Sequence, residues 1–346
     1  MQKKITMEHI ANKLGITKNT VSLALRNMPG VSEKTRKLVL KTAEQNGYKY
    51  KNSVDINTNQ KTKNICLMLS DATRNAANFF SFIQYGIESE AKKNNLNTIL
   101  YCFNENKDFE IPLCIRDGII SGIVTLGRLT KKTVKSIIQL NLPLVVIDHF
   151  FDDIKANYIL SDNVSGGFIA TEHLVKSGHN KIGFCGDIFS SSSFYDRYLG
   201  YLKALTLYSI PIYSNYSIID KSMSEAPSQE YVVEELKKFA SLPSALFCCN
   251  DSEAIAIIKG FSSIGISVPD TVSIVGFDDI ELSKNITPEL TTMHICKESL
   301  GERAVKKLIS QINEKNNIEE KILLSAYLVE RQSVINIKNE NEPNII

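Results

Sequence analysis

The chain has 346 residues, 43% hydrophobic and 23% charged, ordinary globular usage that excludes wholesale disorder and predicts two domains or more. No run approaches the ~18 uninterrupted apolar residues needed to cross a bilayer, so a membrane-spanning protein is excluded as well. The net charge of +2 hides an asymmetry: residues 1–63 carry 13 Lys or Arg against 4 Asp or Glu, the rest 27 against 34. A basic head on an acidic body implies that only the head meets a polyanion.

Residues 6–14 predict a first helix with Met7, Ile10, Ala11 and Leu14 on one stripe, Thr6 as N-cap and Gly15 ending it in a left-handed conformation. A second helix is expected from Thr17, its stripe Val21, Ala24 and Leu25. The Gly-containing link 15–17 is the spacing of a helix-turn-helix. A third helix, capped by Ser32 and stopped near Gly47, offers Thr35, Leu38, Val39, Thr42 and Ala43 to close a small core. The second helix is the natural reader of the major groove. Lys18 and Asn19 are its base-edge candidates, because lysine suits guanine O6/N7 and asparagine suits adenine N6/N7. Thr6, Thr20, Ser32, Arg36 and Tyr48 are candidates for phosphate contacts, which position a domain without specifying sequence.

The body alternates apolar runs with helical patterns. One series runs 65–69, 79–93, 98–102, 119–124, 133–140 and 144–147. A second runs helix 165–177, strand 181–185, helix 195–207, strand 217–219, helix 226–240, strand 245–248, helix 252–263 and strand 272–275. The alternation predicts parallel, doubly wound sheets in two lobes. Strand 292–295 and helix 297–313 find no place in the second series and are expected to return to the first lobe. Ligands bind beyond the carboxyl ends of such strands. The candidates there are Asp71, Asp148, Arg197, Asn250 and Asp278, with Phe79, Phe80, Phe150 and Tyr195 as an apolar face. Acids, an amide and one guanidinium suit a neutral polyol, whose hydroxyls donate and accept. Asp162, Asp251 and Asp279 read as helix caps.

Several stretches carry a family resemblance: 5–11 (ITMEHIA), 14–22 (LGITKNTVS), 29–36 (PGVSEKTR) and Gly47-Tyr48 in the head. In the body there follow Thr171 to Leu174 (TEHL) with Gly178-His179, Asp196-Arg197 before Gly200, Cys249 to Asp251 (CND), and Val268-Pro269. The series ends with 275–279 (VGFDD), 288–292 (PELTT) and 299–301 (SLG). The chain resembles the LacI family of transcriptional repressors from its start to about residue 333. The resemblance implies an all-α helix-turn-helix head (1–50), a hinge or linker (51–63), and an α/β two-lobed periplasmic-binding-protein-like effector domain (64–333). The expected N-lobe is 64–161 with 291–320, and the expected C-lobe is 162–290 with 321–333; residues 334–346 form a tail. It also implies a cytoplasmic homodimer on a near-palindromic double-stranded DNA operator, with a small-molecule effector held near Arg197, Asn250 and Asp278. No cofactor, metal or membrane contact is expected.

Three features depart from the family pattern. The family's hinge helix wedges a leucine into the minor groove, whereas here Asn57 stands at that place and Asp55 where a basic or polar residue is common. Either Val54 or Ile56 serves in a shifted register, or 51–63 is a polar linker. Leu23 stands where the family often has a polar base reader and would meet a thymine methyl or nothing. The segment 73–78 reads as a longer loop at the cleft mouth. The loop 189–193 offers serine hydroxyls without the additional arginine of purine-sensing relatives, which favours a carbohydrate effector.

Enzymatic readings find little support. GxGxxG, P-loop and GxSxG motifs are absent, and the five histidines lack ligand spacing. An acid pair at Asp278-Asp279 on a strand end would point opposite ways. The seven cysteines form an odd set without CxxC and read as reduced thiols, five of them in apolar runs. A sugar-binding protein without a DNA role would share the two-lobed body and leave the basic head unexplained.

Overall fold

The computed structural model describes residues 5–25, 30–46, 48, 63–75, 77–104, 107, 109–220, 223, 227–314 and 318–337. The chain divides into two compact units, 1–61 and 62–346. The hinge segment 51–62, and with it Val54, Asp55, Ile56 and Asn57, lies outside the described residues, as do Gly47 and the tail from 338.

In the first unit, α1 (Met7–Leu14), α2 (Lys18–Leu25) and α3 (Glu33–Gln45) enclose a core of Ile10, Ala11, Val21, Ala24, Val39 and Ala43. The Thr6 hydroxyl accepts from the His9 amide, and Gly15 ends α1 at φ +66°, where any residue with a Cβ is strained. Ser32 caps α3 by accepting from the Thr35 amide. Leu38, expected in the core, is instead 51% exposed. It lies one residue, about 100° of helix rotation, from Val39, and the face set by Val39, Thr42 and Ala43 turns it outward.

The second unit opens with β1 (Lys63–Ser70), α4 (Asp71–Asn75), α5 (Ala77–Lys93) and β2 (Leu96–Phe103). Next come α6 (Leu113–Arg116), β3 (Ile120–Leu126), α7 (Lys131–Ile138), β4 (Leu144–Ile147) and β5 (Asn157–Ser161). The segment 73–78, expected as a loop, is largely taken up by α4 and the start of α5. Then follow α8 (Asn163–Lys176), β6 (Ile182–Cys185), α9 (Ser192–Leu207), α10 (Gln229–Lys237), β7 (Ala245–Cys248), α11 (Asp251–Ser263) and β8 (Ser273–Asp278). The chain closes with β9 (Thr291–His294), α12 (Lys297–Asn313), β10 (Lys321–Leu324) and β11 (Tyr327–Val329). The expected strand at 217–219 reduces to one bridge between Ile218 and Cys185.

One sheet runs β10-β5-β4-β3-β1-β2, with every pairing parallel, and the other runs β11-β9-β8-β7-β6, with only β11 antiparallel. Strand β1 lies inside the sheet between β3 and the edge strand β2, and Ile65 to Leu69 are all buried, as expected of a parallel strand covered on both faces.

The lobe boundaries differ from the sequence reading. Strand β9, expected in the first lobe, pairs with β8 in the second sheet, Asp278 opposite His294. Only residues 279–290 separate the two strands, and the Thr292 hydroxyl donates to buried Asp251 of α11, which ties β9 to the second lobe. Helix α12 then returns to the first lobe, where its Leu308 side chain lies against Gly122 of β3. Strand β10, expected in the second lobe, pairs with β5 of the first, and β11 goes back to β9. The chain therefore crosses between lobes three times, near residues 162, 295 and 325.

Both lobes use the same packing device. A Cβ on Gly200 of α9 would stand 2.2 Å from the Val164 carbonyl oxygen of α8, and one on Gly301 of α12 would stand 2.2 Å from that of Ile83 on α5. Glycine lets these backbones touch. Substitution of Gly200 or Gly301 by Ala gains up to ~1 kcal/mol of helix propensity, yet the obstructing atom is backbone and cannot swing aside. We expect a net loss of about 1–3 kcal/mol from overpacking, read as a lower denaturant midpoint with unchanged slope.

Candidate functional site

In the head, the Thr17 hydroxyl accepts from the Thr20 amide at 3.1 Å and so starts α2 one residue before Lys18. Lys18 and Asn19 are exposed in its first turn, which holds no acidic residue. Leu23 is partly buried, its Cδ1 3.9 Å from where a Cβ on Gly30 would lie. Of the phosphate candidates, Thr6 and Ser32 serve as caps, and Thr20 shares a 2.8 Å hydroxyl contact with Thr17. Arg36 sits 3.4 Å from Glu33, and Tyr48 packs partly buried against the head core.

In the body, the junction of the lobes is built on Arg197. Its position on α9 puts the guanidinium among strand ends, 2% exposed. Nε donates to Asn163 Oδ1 at 2.9 Å, Nη1 donates to the Cys249 carbonyl at 2.6 Å, and Nη2 pairs with Asp278 at 2.9 Å. The Phe277 ring lies 3.8 Å from the guanidinium carbon, with Phe194 at 5.5 Å. From the first lobe, Asp148 follows β4 and accepts from the Ser193 hydroxyl at its carbonyl, 3.1 Å away. The Phe150 amide donates to Ser192 Oγ at 3.0 Å, and Arg128 donates to the Ser190 carbonyl at 3.1 Å. Asp148 and Asp278 both hold positive φ, 63° and 106°, a sparsely populated backbone conformation for a residue with a Cβ.

Electrostatics there follow from burial. Burial lifts the Asp148 carboxyl to about 7 against the pull of Arg197, with the Asp278 charge adding to the rise. Burial also raises Asp278, opposed by Arg197 and Lys297. Asp251 goes to about 8, from burial first and then from the charge of Asp278. His149 falls to about 4 because burial and then the nearby Arg128 disfavour its charged form.

The candidates do not all converge. Asp148, Arg197 and Asp278 form one electrostatic group. Asn250 has its Oδ1 committed to the Glu253 amide at 2.8 Å, capping α11. Asp251, expected as that cap, lies one residue further on and accepts from the Ile280 amide at 2.8 Å instead. Asp162 does cap α8. Asp279 is no cap: burial works against its charge, but Arg331 and His294 outweigh it and hold the carboxyl below its usual range. The two adjacent acids thus serve opposite sides. Asp71 accepts from Asn104 at 3.2 Å within the first lobe, and Phe79 and Phe80 pack edge to face at 5.0 Å. Phe150 turns its ring to Tyr158 and Lys321, and Tyr195 is 47% exposed, so the aromatic residue near Arg197 on α9 is Phe194. Sequence reasoning missed Lys297 and Asn163, and read Ser192 and Ser193 only as part of the hydroxyl-bearing loop 189–193. Lys297 carries a signal only in hindsight of its burial, since a lysine opening a helix is ordinary.

A helix-turn-helix unit joined to a two-lobed body with a polar junction is the architecture of a ligand-responsive DNA-binding regulator. Residues 6–50 match the model of bacterial regulatory proteins of the lacI family, and residues 171–334 that of a periplasmic binding protein-like domain. The transcriptional repressor ExuR of Bacillus subtilis (strain 168) is 32% identical over 95% of this chain and 98% of its own length. The repressor PurR of Pasteurella multocida (strain Pm70) is 29% identical over 95% and 98%. Among solved structures, a LacI-type transcriptional regulator from Bacillus cereus subsp. cytotoxis has a TM-score of 0.70 at 26% identity, covering 80% of this chain and 100% of that one. The lac repressor dimer bound to operator and the anti-inducer ONPF shares the fold, with a TM-score of 0.68 at 23% identity over 96% and 100%. The chain belongs to the LacI family of transcriptional repressors, which are not enzymes.

The raised carboxyl of Asp148 sets a pH dependence. Between the ordinary carboxylate value of ~3.9 and about 7 the folded state holds a proton that the unfolded state has released, so this group's contribution to stability declines as pH rises through that window. Thermal melts across it should show a shallower decline for Asp148→Asn than for the parent protein; identical slopes would place the titration elsewhere.

Proposed function

We propose that this protein is a cytoplasmic homodimeric repressor whose two α2 helices read the half-sites of a near-palindromic operator, and whose lobe junction binds a carbohydrate-type effector. The observation that carries the reading is the open first turn of α2: Lys18 and Asn19 stand exposed on a capped helix in a basic head with its own core. Half-sites about one helical turn apart would match the two-fold symmetry of such a dimer. The relatives ExuR and PurR are named repressors, which supports repression as the output. Ser192 and Ser193, which meet Phe150 and Asp148 of the first lobe, together with Arg197 and Asp278 give the junction the mixed donors and acceptors that suit a polyol. Effector shifts operator affinity only by the difference in its binding to two lobe arrangements.

Replacing Lys18 and Asn19 together by Ala should weaken operator binding by ~1–3 kcal/mol per lost base contact and leave random duplex nearly untouched, measured by salt-controlled gel retention. Equal losses on both duplexes would remove α2 from its reading role. Arg197→Ala, checked by melting to be folded, should keep operator retention and lose the effector response. An unchanged response would move the ligand site elsewhere.

A further inference from the structure

We propose that Cys66 and Cys114 form a reversible oxidation site in the first lobe, where a hydroperoxide oxidises the Cys114 thiol and Cys66 closes the product to a disulfide. This goes beyond the reading above and does not rest on it. Cys66 sits within β1, 0% exposed, opposite Ile99 of β2 on one side and Ile123 of β3 on the other. Its side chain belongs to an apolar cluster with Met68, Phe103, Ile120 and Ile123. Cys114 and Ile115 of α6 pack half-buried against that same cluster, and there the Cys66 and Cys114 thiols share a hydrogen bond.

The two thiols differ in access. Cys114 stands on a four-residue helix none of whose residues is fully buried. Burial pushes Cys66 up to about 12, and the neighbouring Cys114 adds to the rise, so Cys66 stays protonated and is a poor first nucleophile. Oxidation therefore begins at Cys114, with Cys66 as its resolving partner. The Cys114 sulfur attacks the O–O bond and takes one oxygen, its proton passing to the departing oxygen; sulfur is oxidised to a sulfenic acid and the hydroperoxide is reduced to water or an alcohol. The Cys66 sulfur then attacks the Cys114 sulfur. The S–O bond breaks, the S–S bond forms, and the Cys66 proton leaves with the hydroxyl as water. A thiol reductant reverses the bond by exchange. An S–S bond of ~2.05 Å needs the sulfurs closer than a thiol contact. Strand β1 is held by paired strands on both sides, whereas α6 rests on half-buried side chains and opens at Pro112 without a side-chain cap, so α6 makes the approach. Cys185 and Cys248 are the contrast: they stand opposite each other on β6 and β7, but both are fully buried and neither is open to a peroxide. Cys249 is equally buried, its thiol donating to Glu253.

The test treats the reduced full-length protein with hydrogen peroxide, blocks the remaining thiols with N-ethylmaleimide after denaturation, and maps the unreduced peptides by mass spectrometry. The expected product is a disulfide joining Cys66 to Cys114 that is lost on adding dithiothreitol, with Cys185, Cys248 and Cys249 recovered as blocked thiols. Cys66→Ser should stop at a Cys114 sulfenic acid, trapped by dimedone, and Cys114→Ser should leave Cys66 a thiol. Absence of the Cys66–Cys114 disulfide, an equal yield of any pairing through Cys102, Cys185, Cys248 or Cys296, or oxidation of Cys66 in Cys114→Ser equal to that in the parent overturns the proposal. Thermal melts check that both variants are folded, and the parent protein's own peptide map decides the case if one is not.

Discussion

Burying a guanidinium is unfavourable unless each of its faces and donors is answered, and the body of this protein is organised around answering Arg197. Its partners come from separate stretches of chain: Asn163 from α8, the carbonyl of Cys249 after β7, and Asp278 at the end of β8, with the Phe277 ring beneath it. Each must arrive at the same point for the charge to be tolerated. The α8–α9 crossing delivers the first, because Gly167 lets α8 approach the Arg197 carbonyl so closely that a Cβ there would lie 2.3 Å from it. Packing and site chemistry are thus one constraint, since a helix crossing widened by a methyl group would displace the cation.

The same cluster couples the lobes. Serines 192 and 193 meet Phe150 and Asp148 from the other lobe, and Lys297 reaches over from α12 to the carbonyls beside Asp278. A ligand that adds contacts here has two lobes to bias rather than one, and the coupling available from such differences is typically ~1–3 kcal/mol. The head is a separate unit with its own small core, so the helix-turn-helix does not depend on the junction for its fold.

Local chemistry made much of this legible. Thr6, Gly15 and Ser32 act as the sequence suggests because caps answer to a few neighbouring amides and carbonyls. The apolar runs at 65–69, 144–147 and 245–248 become strands because parallel strands are buried on both faces and need no alternating pattern. Errors arose where one residue of register mattered: Asn250 rather than Asp251 caps α11, and Leu38 faces out while Val39 faces in. Strand β5 and the short β10 and β11 left too weak a pattern to be read at all.

The sequence by itself determined the local helices and strands, the basic head and the family, because periodicity, capping and motif order are written within short windows of chain. Only the tertiary structure decided which lobe β9 and β10 join, which carboxylates are already paired, and that Lys297 is buried. Those outcomes depend on hydrogen-bond partners and on exclusion of water by segments far apart in the chain, and no short window of sequence carries that information.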